Sequence, residues 1–95
     1  MTGQRVGNTN YVVISEIHVD EATLVIGHNK SLPENGLTTP YATWEANKEM
    51  TDFYWGHYFK DLYSAERDLV SRGASKVQFY DRLHGIKPPS KRDTR

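Results

Sequence analysis

Cysteine is absent from this 95-residue chain, which excludes a disulfide framework and thiolate metal sites and fits a reducing cytoplasm. An excess of charge is missing as well: 12 Lys and Arg balance 12 Asp and Glu. The general attraction to phosphate backbones that a basic domain enjoys is therefore lacking, and binding to nucleic acid would need local charge asymmetry. Long apolar runs are also missing. No stretch approaches the roughly 20 residues that span a bilayer, and the start MTGQRVGNTN lacks the apolar region of a signal peptide. The sequence shows no phosphate-binding glycine loop, nucleophile elbow or fixed-spacing carboxylate pair. The four histidines, His18, His28, His57 and His84, share no i, i+4 spacing, the arrangement that would place two ligands on one helical face. The expectation is a cytoplasmic protein that is not an enzyme, with no cofactor, metal site or membrane contact.

What is present suits one small domain, with 37% hydrophobic and 25% charged residues. Residues 1–10 are polar, carry two glycines and read as a flexible N-terminus. YVVISEIHVD alternates with the period of a half-buried strand, and ATLVIGHN follows after only Asp20 and Glu21, as a tight antiparallel hairpin requires. The loop from His28 to Pro40 is punctuated by Pro33, Asn35-Gly36 and Pro40. YATWEAN and FYWGHYF supply a third and a fourth strand. Asp61 is placed to cap a helix whose stripe Leu62, Ala65, Leu69, Gly73, Val77, Tyr80 and Leu83 stays in phase across Gly73. The stripe predicts one continuous helix, stopped by Gly85 ahead of Pro88 and Pro89. The fold class is thus α+β: a four-stranded antiparallel meander (ββββα) covered on one face by a long C-terminal helix. Residues 11–86 form the domain, and 87–95 read as a basic disordered tail.

FYWGHYF puts five aromatic side chains on one strand, and a strand has two faces. Strict alternation groups Phe53, Trp55, His57 and Phe59 on one face and sets Tyr54 and Tyr58 on the other. Trp44, Trp55 and Phe59 are the expected core beneath the helix. Tyr54, Tyr58 and Tyr41 are then the expected partner-binding residues, on a sheet face that no predicted element covers. Tyrosine supplies large, rigid area at little entropic cost. Another protein is the expected partner, met by this face and by the loop from His28 to Pro40. Burial of the same face in a homodimer is the competing use. The alternative is a nucleic-acid interface made by Arg67, Arg72, Lys76 and Arg82 on the helix with Lys87, Lys91, Arg92 and Arg95 in the tail.

WGHYFKDLYSAE, from Trp55 to Glu66, resembles the last strand and helix start of small DNA-binding domains built from a three-stranded sheet and a helix, found in plant AP2-type transcription factors and in the arm-binding domains of tyrosine recombinases. Trp55, Phe59 and Ala65 carry that similarity. An aromatic strand like YWGHYF ahead of a helix beginning SAERD also resembles short accessory proteins of bacterial mobile elements and phages. That second resemblance implies a small factor that inhibits or modulates a host system by binding.

Overall fold

The computed structural model describes residues 2–34, 36–83 and Gly85. Strands β1 (Val12–Val19), β2 (Ala22–His28), β3 (Tyr41–Ala46) and β4 (Phe53–Phe59) precede a single helix, α1 (Leu62–Leu83). The strands pair antiparallel in the order β1-β2-β3-β4, so the meander with its covering helix is as expected. The β1–β2 turn is the two-residue Asp20–Glu21 connection, with Asp20 in the left-handed region at φ 56°. Asn47 organises the β3–β4 turn, its Oδ1 accepting the amides of Thr51 at 2.8 Å and Asp52 at 2.9 Å.

α1 starts where Asp61 Oδ1 accepts the Ser64 amide at 2.7 Å. That hydrogen bond holds the Asp61 carboxyl below its ordinary range. The helix runs unbroken through Gly73, which is buried; a Cβ there would lie 3.0 Å from Ile17 Cδ1. The missing side chain at Gly73 lets the helix backbone approach Ile17 closely at this point. Ala65 and Leu69 of α1 pack on Leu24, Ile26 and Tyr41 of the sheet, with Ile14, Ile17, Phe59 and the helix's own Leu62 at the margin. The C-terminal part of the expected stripe behaves differently: Val77 and Leu83 are exposed. With 22 residues α1 is about 33 Å long and outruns the sheet.

The other sheet face is also covered, by the segment expected to be loose. Gly3 donates to the Val13 carbonyl at 2.7 Å, Val13 donates to that of Gln4 at 2.8 Å, and Arg5 bridges Val12. Val6 is thereby buried against Val13, Val25, Ala42, Trp44, Ala46 and Met50, with Tyr11 and Phe53 alongside. Gln4 Nε2 donates to the Met50 carbonyl at 2.7 Å and ties this strap to the β3–β4 turn. Trp44 belongs to this second core, on the face opposite the helix, and is only 5% exposed. Its expected place beneath α1 is corrected: β3 directs Tyr41, Thr43 and Glu45 to the helix and Ala42, Trp44 and Ala46 away from it.

Candidate functional site

One irregularity in β4 decides what its aromatic residues do. Thr43 pairs with His57 and Glu45 with Tyr54, so the single residue Trp44 faces both Trp55 and Gly56. This is a bulge, one extra residue in a strand, and it shifts the alternation on either side of itself. Trp55 takes the left-handed backbone, φ 54°, that glycine usually supplies at such a position. Trp55 is 69% exposed, which corrects its expected place in the core. Gly56 is held close over the buried indole, where a Cβ would stand 2.6 Å from Trp44 Nε1.

The expected tyrosine pair is divided by the same bulge. Tyr58, 52% exposed, faces away from the helix and packs edge-on to Trp44 and Tyr11, with ring centres 5.7 and 5.9 Å apart. Tyr54, 40% exposed, lies opposite Glu45 on the helix side and rests against Trp55. Tyr41 is buried on the helix side. It stacks on His28 at 4.5 Å and donates its hydroxyl to Glu34 Oε2 at 2.6 Å. The hydrogen bond to that carboxylate, then burial, raises the phenol above its ordinary pKa. The three tyrosines therefore do not form one open face.

The bulge instead opens a groove of about 450 Å³ between β4 and α1, walled by Trp55 and Phe79 and floored by Asp68 and Arg72. Its polar centre is a single carboxylate oxygen. Asp68 Oδ2 accepts from Thr43 Oγ1 at 2.5 Å, His57 Nδ1 at 3.0 Å and Arg72 Nε at 3.1 Å. Burial alone would raise the Asp68 pKa; the hydrogen bonds from Thr43 and His57, with the charges of His57 and Arg72, outweigh it and hold the group below its ordinary value. With Asp68 ionised, His57 Nδ1 carries a proton and donates to it, so the 3.3 Å approach of Arg72 Nε to Nδ1 is a contact between two donors. Arg72 also donates to the carbonyl of Trp55, clasping the bulge to the helix. Farther along, Lys76 pairs with Glu45 at 3.0 Å.

His57 stands beside Trp55 in the sequence, but Asp68, which joins Thr43, His57 and Arg72, is not evident from strand alternation. The signal was the i, i+4 spacing of Asp68 and Arg72. An aspartate holding a histidine is part of an acid–base device, yet no hydroxyl among the described residues hydrogen-bonds His57 Nε2. The expected basic helix face is also divided. Arg72 and Lys76 line the groove and are ion-paired, whereas Arg67 lies over the Tyr63 ring on the outer side. Lys87, Lys91, Arg92 and Arg95 lie outside the described residues, as does His84. Among the described residues no group of His, Asp and Glu is arranged to hold a metal ion, and no helix is long and apolar enough to cross a membrane. No protein-family model matches the chain, and neither a curated protein nor a solved structure is similar to it.

Proposed function

We propose that this chain is a non-enzymatic cytoplasmic binding protein that holds another protein in the groove between β4 and α1. The observation that carries the reading is the display of Trp55. A tryptophan in left-handed backbone costs on the order of 1–2 kcal/mol, and its exposed indole adds little to the core. Strain of this kind gathers where a site needs a side chain held in one pose. Tryptophan is also the residue most enriched at interface hot spots. The groove beside it has an apolar wall for a partner's side chain and, in the half-exposed imidazole of His57, a polar group within reach of the partner. The likeness of YWGHYF and SAERD to mobile-element and phage accessory proteins adds the expectation that the partner is a host factor whose action is modulated.

Affinity capture from nuclease-treated lysate tests the reading, with Trp55→Ala and Tyr58→Ser beside the parent. A protein held by the parent and by Tyr58→Ser but lost by Trp55→Ala is the expected result. Equal capture by parent and Trp55→Ala would overturn it. Capture that nuclease abolishes would instead favour the nucleic-acid alternative, for which the intrachain pairing of Arg72 and Lys76 leaves less free positive charge.

A further inference from the structure

α1 carries a second stripe on its outer side. Tyr63, Arg67, Val70, Ala74 and Val77 follow at alternating spacings of four and three residues, which places them in one narrow band along the helix. The band faces away from the sheet, with Tyr63 at 66% and Val70 at 69% exposure and Ala74 and Val77 also exposed. A solvated helix face normally carries charged and polar side chains in these places. Here Tyr63 and Val70 border a shallow hollow of about 420 Å³ whose lining is completed by Glu66, Arg67 and Ser71.

The charges along the band have an order of their own. Asp81 continues it into the last turn of α1, where the helix carbonyls already present negative charge and an acidic side chain is unfavourable. No ion pair among the described residues offsets it. Arg67 has no carboxylate partner among the described residues either; its guanidinium donates to Tyr63 Oη at 3.1 Å and lies over that ring at 5.6 Å. The two charges lie about 21 Å apart along one helix, too far to meet within a chain.

We propose that α1 pairs antiparallel with α1 of a second copy, about a twofold axis beside Ala74. Arg67 and Asp81 each stand seven positions from Ala74, so this register sets Arg67 of each copy against Asp81 of the other. Val70 and Val77 meet in the layers between, and the methyl group of Ala74 permits close approach at the axis. Opposed helix dipoles favour the same orientation. The groove with Trp55 lies on another flank of α1 and stays open, so this dimer stands independently of the partner-binding reading.

Sedimentation equilibrium across the micromolar range tests the dimer, with circular dichroism melting to show that each variant stays folded. The parent is expected to associate reversibly. Ala74→Arg should abolish association. Arg67→Glu and Asp81→Arg should each weaken it about tenfold or more, and the two together should restore it, a rescue that can arise only between copies. A parent that is monomeric throughout overturns the proposal, as does a double variant no stronger than its single parents. A dimer dissolved by Trp55→Ala but kept by Ala74→Arg would move the contact to the groove and also overturn it.

Discussion

Trp44 and Trp55 sit on neighbouring strands, and their surroundings differ as much as the two sides of the sheet do. Around Trp44 the sheet is closed by apolar contact with Val6, Tyr11, Val25 and Met50. Around Trp55 it is closed only in part, and by polar means: Thr43, His57 and Arg72 converge on Asp68, and Arg72 holds the bulge. The first arrangement stabilises by removing apolar area from water. The second fixes geometry, since hydrogen bonds contribute little net stability but leave costly unsatisfied groups when broken. The surroundings of Trp44 therefore support the domain, as does the apolar cluster under α1, whereas the surroundings of Trp55 position a surface.

Substitutions on the two sides should separate these roles. Trp44→Ala is expected to have the largest effect, a loss of about 3–5 kcal/mol from the cavity left behind, read as a fall in the denaturation midpoint. A midpoint near the parent's would mean that the strap-side cluster contributes little to stability. Gly56→Ala should cost on the order of 1–3 kcal/mol, because its Cβ would meet the buried Trp44 indole rather than open solvent. An unchanged melt would show that the indole can retreat.

Asp68→Asn should cost about 1–3 kcal/mol at neutral pH by weakening the contacts of Thr43, His57 and Arg72. Since the Asp68 pKa is lowered in the fold, its contribution is present above the ordinary carboxylate range and is lost as pH falls through the folded value. The gap between parent and variant should accordingly close in acid, and a gap independent of pH would assign the cost to packing. The smallest effect is expected from Trp55→Gly, with the opposite sign: relief of the left-handed backbone should raise stability by about 1 kcal/mol while partner capture is lost. Destabilisation there would give the exposed indole a structural role.

Local signals in the sequence located the elements well. Strand alternation, the Asp20–Glu21 turn, the Asp61 cap and the phase of the stripe across Gly73 each act over a few residues, and each has its counterpart in the fold. The facing of β4 was not legible by alternation, because one extra residue reverses the count beyond it. Gly56 was the available hint, since glycine inside a strand often marks a bulge. The strap was hidden for a different reason: Val6 is a single apolar residue in a polar segment, and its burial depends on hydrogen bonds to Val13 and Met50 far along the chain. Tyr41 was expected on the open face because alternation along β3 does not say which of its two faces the helix covers; the helix covers the face of Tyr41, Thr43 and Glu45.

The β4 bulge also bears on how such a surface can change over generations. If Trp55 is set aside, the pairings of Tyr54 with Glu45 and His57 with Thr43 leave Gly56 opposite Trp44, and the rest of β4 falls into ordinary alternation. Trp55 is thus a supernumerary residue, one codon added to a strand whose other members keep their facing and their contacts. A position of that kind is nearly uncoupled from folding. Its side chain can be exchanged while both cores stay intact and Arg72 keeps its backbone acceptor, so specificity at this groove can drift through substitutions that selection for stability would scarcely oppose.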